Sequence, residues 1–284
     1  HLSTVTQEGK RIWIYPKKQT GRFYTARTIV SFLLLAFLFI IPWIKIDEHP
    51  FVLFNFFERK FIVFGLAFGP QDFYIFAIGF VTLLVFVVLF TAIYGRIFCG
   101  WICPQTVFME MVFRKIEYFI EGDAAKQRAL DIAPWDGSKM FKKTIKQIIF
   151  FAIAVLIGNT FMAYIVGIDE TVKIISNSPL EHLSGFIAVM VFSGVFYFVF
   201  SKFREQACTI VCPYGRLQGV LLDSNTVVVA YDNVRGEPRG KLDKENLTNR
   251  GDCIDCHLCV AVCPTGIDIR NGTQLECVNC TSCI

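Results

Sequence analysis

Seven cysteines near the end of this 284-residue chain stand in an order that few folds can use. Cys253, Cys256, Cys259 and Cys263, the last followed by Pro264, spell C-x2-C-x2-C-x3-C-P, and Cys277, Cys280 and Cys283 repeat the first three members. Three thiolates two residues apart wrap a tight loop round three corners of an iron–sulfur cubane. The fourth, carried clear by its proline, ligates the other of two cubanes. Crossed in this way, Cys263 joins Cys277, Cys280 and Cys283 to complete one cluster. Cys253, Cys256 and Cys259 are left one ligand short, and the spacing leads us to expect a cysteine about four positions beyond Cys283. The chain is therefore expected to be cut inside its own motif. Pairs of the form C-x2-C also suit zinc, but seven cysteines in this order with that proline suit it poorly. The reading is two [4Fe–4S] clusters, one of them lacking a ligand in this chain.

Hydrophobicity is the second bound. Apolar residues make up 54% of the chain, 30 of them Phe, and the mean hydropathy is +0.50. Residues 28–46, 73–94, 148–168 and 183–200 each pass the test of about 18 to 20 predominantly apolar residues for a membrane span. Helices buried in a large soluble core are the alternative. Against it, residues 32–41 are almost unbroken Leu, Phe and Ile, apolar all round rather than along one stripe.

Basic residues orient the spans. Lys10, Arg11, Lys17, Lys18, Arg22 and Arg27 precede the first span, and Arg96, Arg114, Lys115, Lys126, Arg128, Lys139, Lys142, Lys143 and Lys146 follow the second. The opposite connections hold only Arg59, Lys60 and Lys173. The positive-inside rule puts the amino terminus, the middle loop and everything after the fourth span in the cytoplasm. The thiols then lie in a reducing compartment, which disfavours disulfides. Loop asymmetry and anionic membrane lipid account for the net charge of +4 without a nucleic-acid partner. The chain does not begin with Met, so a short leading piece is expected to be absent, and no cleavable signal is visible.

The other four cysteines fall in two motifs of the same form. Cys99-Gly100-Trp101-Ile102-Cys103-Pro104 follows the second span and Cys208-Thr209-Ile210-Val211-Cys212-Pro213 the fourth, each cysteine 109 residues from its counterpart. Two hairpins of the same orientation suggest a parallel repeat about an axis along the membrane normal, which would gather the four thiols. Thiols at i and i+4 share a helix face. The proline marks a break from a spanning helix to a new one. Residues 105–121 fit a helix lying on the membrane surface, with Phe108, Val112, Ile116, Phe119 and Ile120 opposite Glu110, Arg114, Lys115 and Glu117. Plain apolar packing of cysteine is the bland reading. A copper(I) ion, an additional iron–sulfur cluster, zinc and a cycling disulfide all remain open as the species held there.

Weaker signals are few. Met109 and Met111 are soft donors but more ordinary as core or lipid contacts, and His49 and His182 fall near the outer face, where such residues usually meet water or headgroups. His257, between two cluster cysteines, is placed to tune a cluster or simply to face solvent. Residues 51–57 and 61–69 are each too short to span and fit a hairpin or re-entrant flap on the outer surface. Residues 225–252 read as a polar linker with one strand at 227–231. The sequence carries no G-x-G-x-x-G, Walker motif or Ser/His/Asp constellation. The expected architecture is an α-helical integral membrane protein: a cytoplasmic segment 1–27, then a domain 28–224 of four transmembrane helices as two repeated hairpins. Residues 103–147 form its cytoplasmic loop with the amphipathic helix. The linker 225–252 leads to a small cytoplasmic bacterial-type 2[4Fe–4S] ferredoxin domain of α+β type at 253–284.

Four spans, two C-x3-C-P motifs and a following two-cluster run together resemble the membrane-bound polyferredoxin family, and within it the cytochrome c oxidase accessory (CcoG, or FixG/RdxA) branch. Besides the cysteines, the resemblance rests on Gln105-Thr106, on Tyr214-Gly215-Arg216, and on Tyr231-Asp232 with Arg235-Gly236-Glu237-Pro238-Arg239-Gly240. It implies an oxidoreductase of the bacterial inner membrane that reduces Cu(II) to Cu(I) during assembly of cbb-type oxidase. Its implied partners are copper, an unidentified electron donor, and oxidase subunits or copper-delivery proteins; a homodimer is open. By carry-over, Cys253, Cys256, Cys259, Cys263, Cys277, Cys280 and Cys283 bind clusters. Cys99, Cys103, Cys208 and Cys212 are the candidate catalytic and metal residues. The branch also carries a later span and a periplasmic immunoglobulin-like domain. A quinol-dehydrogenase relay and a non-redox assembly scaffold are the alternatives.

Overall fold

The computed structural model describes residues 8, 10–46, 49–56, 60–177, 183–240 and 251–284. Its elements run in chain order: α1 (Arg22–Ile40), β1 (Lys45–Ile46), β2 (His49–Pro50), β3 (Val52–Asn55), β4 (Lys60–Val63), β5 (Leu66–Phe68), α2 (Phe73–Tyr94), α3 (Ile97–Trp101), α4 (Pro104–Val107), α5 (Arg114–Ile120), α6 (Ala124–Ile132), α7 (Gly137–Val166), α8 (Ile168–Ser176), α9 (Leu183–Phe198), α10 (Pro213–Val220), α11 (Asn233–Gly236) and α12 (Leu258–Ala261). Four helical stretches are long and apolar enough to cross a membrane: Arg22–Trp43, Tyr74–Tyr94, Gly137–Val166 and Leu183–Phe203. The third starts well before the expected residue 148. Hydropathy marks only its apolar part, whereas Asp136 in extended conformation opens it and Lys139, Lys142, Lys143 and Lys146 fill its first turns. It ends at Gly167, whose φ of +100° an L side chain rarely adopts. The short helix α8 that follows was not expected.

The chain divides into two compact units. One holds residues 29–87 and 136–204. Within it α7 and α9 approach closely: a Cβ at Gly158 would lie 2.7 Å from Ser193 Oγ. Ala154, Ile157 and Ser193 are fully buried there, as small-residue packing between membrane helices requires. Stacked Phe161 and Phe196 lie 5.0 Å apart, and Gln147 Oε1 accepts from Tyr197 at 2.8 Å and Ser201 at 3.2 Å. Tyr164 donates to the Leu38 carbonyl at 2.8 Å, tying α1 to α7. The expected flap is a three-stranded antiparallel sheet, β3-β4-β5. Its β4–β5 turn is Phe64-Gly65, both at positive φ, the conformation that two-residue hairpins favour.

The other unit holds residues 1–28, 88–135 and 205–284, and every cysteine of the chain lies in it. The amino-terminal strap runs along the cysteine-rich segment, with Lys17 N donating to Ala261 O at 2.7 Å and Gln19 Nε2 to Val262 O at 3.2 Å. Three expectations are corrected. Residues 227–231 form no strand, because Val227 N and Thr226 Oγ1 bond instead to the last carbonyls of α2, at Ile93 and Ala92. No strand occurs among the described residues of 253–284, where the stretches between cysteines are too short for a ladder, so that segment is not α+β. Residues 105–121 form not one regular helix but α4 and α5 joined by a π-turn at Phe108–Phe113. Both faces are covered: Glu110, Arg114 and Glu117 are buried, Glu110 paired with Arg114, and so is Phe108 of the apolar face, while Phe119 is exposed.

Candidate redox centres

The two C-x2-C-x2-C loops have the same backbone. In the first, Asp255 and His257 flank Cys256 at φ of 53° and 56°; in the second, Asn279 and Thr281 flank Cys280 at 50° and 58°. Left-handed conformation at four residues other than glycine is costly and is kept where surrounding structure enforces it. It turns successive N–H groups to one side, making a concavity suited to a negatively charged group such as a thiolate-ligated cluster. Arg270, buried, braces the first loop by donating to Asp255 and to Asp268 at 2.6 Å, and lies 2.8 Å from His257 Nδ1. The guanidinium holds the Asp268 carboxyl below its ordinary range.

Cys263 lines one cavity with Cys277, Cys280 and Cys283 of the second loop, and Cys259 of the first loop reaches the same cavity. Burial, then the charge of the neighbouring sulfurs, pushes the Cys283 thiol up to about 12. Burial also raises Cys277, to about 11, and Cys263. Thr265 Oγ1 lies 3.4 Å from the Cys263 sulfur and Ser282 Oγ 3.3 Å from that of Cys280, hydroxyls placed to tune sulfur ligands. Four converging thiols on a preformed concavity fit a [4Fe–4S] cluster. Loading would release the protons that burial keeps on them.

The C-x3-C-P motifs also share a backbone. Cys103 N donates to Phe98 O and Cys212 N to Ala207 O, both at 2.9 Å, and then Pro104 and Pro213 open α4 and α10. Upstream, Gly95 and its counterpart Arg204 take φ of 58° and 50°. New helices start at the prolines as expected, but the spanning helices themselves end earlier, at Gly95 and Arg204. Each cysteine pair therefore sits on its own short turn rather than on the end of a span. All four sulfurs lie within electrostatic reach of one another. Burial, then Cys103, Cys99 and Cys212, raises the Cys208 thiol to about 12. Burial raises Cys99 to about 11 against the pull of Arg96. Burial also raises Cys103, opposed by the N–H groups of Gln105 and Thr106. Among the described residues no three His, Cys, Asp or Glu side chains are close enough together to hold a metal ion.

These two thiol sets touch. Cys99 packs in one buried core with Val278 and Cys280, with Tyr214 against it. The contact needs Gly100, where a Cβ would stand 2.9 Å from the N and Cα of Cys280. Gln218, fully buried, accepts from Cys99 Sγ at 2.9 Å and donates to Thr91 at 3.4 Å. An electron on the Cys263-Cys277-Cys280-Cys283 centre would therefore sit beside the four-thiol group. Sequence reasoning missed Arg96, Gly100 and Gln218, although Arg96 and Gly100 stand within a few residues of Cys99. Met109 and Met111 are buried core, Thr28 Oγ1 lying 3.7 Å from Met111 Sδ. His49 is exposed on β2, and His182 lies outside the described residues.

Comparison with known proteins agrees with this chemistry. A family described as "4Fe-4S dicluster domain" matches residues 203–284, and one described as "4Fe-4S binding domain" matches residues 76–120. The chain is 36% identical to the nitrogen fixation protein FixG of Rhizobium meliloti (strain 1021), over 97% of this chain and 54% of the relative. It is 37% identical to protein RdxA of Cereibacter sphaeroides, over 95% of this chain and 58% of the relative. Protein RdxB of the same organism is 35% identical over 94% of this chain and 57% of the relative. The chain thus spans little more than half the length of these relatives. No solved structure matches it. Together the helices, cysteines and matches support an iron–sulfur electron-transfer protein of the membrane.

Proposed function

As a member of the FixG-like family, this chain is, we propose, a bacterial inner-membrane cupric reductase serving assembly of a cbb-type oxidase. Its amino terminus and cluster segment face the cytoplasm on this reading, because the basic connections lie on that side. The observation that carries it is the contact of Cys99 with Val278 and Cys280, which joins a cluster site to four soft thiols. Bound iron–sulfur clusters supply single electrons at low potential. An electron donor outside the chain reduces them at the loop of Cys256, whose side chain is exposed. Cys263, Cys277, Cys280 and Cys283 hold the second cluster against Cys99.

Copper is the substrate at Cys99, Cys103, Cys208 and Cys212. One electron converts one Cu(II) to Cu(I), and thiolates favour the product because they are soft donors. Gln218 orients the Cys99 sulfur, and burial excludes water. Purified protein with reduced clusters is expected to reduce Cu(II), and Cys99→Ala with Cys208→Ala to abolish this at unchanged ferredoxin-type EPR signals. Undiminished copper reduction in the double variant would remove those thiols from the reading.

A second reading follows from the four thiols lying beside a cluster site, since Cys99 packs against Cys280. An additional iron–sulfur cluster there would make the chain a relay between quinol and a respiratory partner. Iron and sulfide in excess of two clusters, together with copper-independent quinol oxidation, would select it.

A further inference from the structure

Arg96, at the N-terminal end of α3, is only 4% exposed. It caps the short helix that carries Cys99, and Cys99 packs in one buried core with Cys280. One buried cation thus stands beside both thiol sets. An Nη1 hydrogen bond to the carbonyl of Leu275 ties it to the strand of chain leading into Cys277. Gly215, just after Cys212, makes room for the other nitrogen: a Cβ there would lie 2.8 Å from Nη2.

The turn does not itself require this residue. At the matching position 109 residues later, the same backbone turn carries Glu205, which pairs with Arg11 at 3.0 Å. A guanidinium needed to close the turn would recur there. What distinguishes Arg96 is what it faces.

We infer that Arg96 is a positioning residue for electron transfer between the two thiol sets. It holds Cys99 against the loop of Cys277 and Cys280, and supplies a buried positive charge that both sets share. This rests on the reading of the four thiols as a redox site. Each set gains negative charge on reduction, and a cation in a buried, low-dielectric position favours the reduced form. The planar fork matters as well as the charge, because a lysine head has no fixed pair of donors with which to reach the Leu275 carbonyl and the space at Gly215 together.

The test compares wild type, Arg96→Gln and Arg96→Lys, each as the whole chain reconstituted with iron and sulfide in detergent. For Arg96→Gln we expect full iron and sulfide content, a more negative midpoint potential for the EPR signal lost in Cys277→Ala, and Cu(II) reduction slower on the order of tenfold. Full cluster content with an unmoved potential would overturn the inference. If Arg96→Gln fails to assemble its clusters, Arg96→Lys decides: the charge remains but the fork is gone, so potential or rate must still change. Wild-type values of both would overturn the inference. Failure of the copper reading itself looks different, since wild type and variants would then all leave Cu(II) untouched while the potential still moves.

Discussion

Cys99 and Cys280 share one buried core, although one follows the second membrane helix and the other lies in the last cluster loop. The contact turns two separate ligand sets into neighbours, and most of the expected behaviour of the protein follows from it.

Crossed ligation fixes which cysteines act together. Cys263→Ala is expected to remove the same EPR signal as Cys283→Ala, since both line one cavity with Cys277 and Cys280. Cys253→Ala is expected to remove a different one. Loss of the same signal in Cys263→Ala and Cys253→Ala would contradict the pairing.

Gly100→Ala drives a Cβ against the backbone of Cys280. Overpacking of this kind costs about 1–3 kcal/mol, and here it falls on a cluster loop. Iron per chain is expected to drop in this variant. Gly137→Ala, where a Cβ meets nothing within 4 Å, should leave it unchanged.

The raised thiols predict a pH dependence. In metal-free protein Cys99 and Cys208 stay protonated until about 11 and about 12, against an ordinary value of 9.0. Their alkylation by iodoacetamide, followed by peptide mass spectrometry, is expected to be slow at pH 8 and to accelerate toward those values. A folded value above the unfolded one gives stability that is whole below pH 9 and lost as the pH rises through the folded value. The metal-free protein should therefore weaken above pH 9, while metal affinity rises with pH because binding displaces protons.

Arg114 and Glu110 are both buried and paired. Removing one partner strands the other charge, so Arg114→Leu is expected to destabilise by about 3–5 kcal/mol. Arg114→Leu with Glu110→Leu should recover much of that loss. Equal thermal stability of the single and double variants would show that the pair is not desolvated as described.

Ligand chemistry was legible because it is local. Spacing alone pointed to iron–sulfur chemistry in the last segment, which the family match at residues 203–284 supports, and apolar length gave the four helices long enough to span. The rest depends on partners far along the chain. Gln218 has meaning only beside Cys99, 119 residues away. The polar face of Glu110, Arg114 and Glu117 reads the same whether it meets water or protein, so its burial could not be foreseen. Helix α8 went unseen because hydropathy ends the third span at residue 168, and the helix's 9 residues, which mix Asp169, Glu170 and Lys173 with apolar side chains, are too few to show a period.

The glycine contact at residue 100 also sets an order for biosynthesis. The surface that covers Cys99 is made of Val278 and Cys280, so the ribosome must add roughly 180 more residues before it exists, which at about 5–20 residues per second takes on the order of ten seconds or more. Throughout that interval Cys99 is part of the growing chain while the residues that cover it do not yet exist.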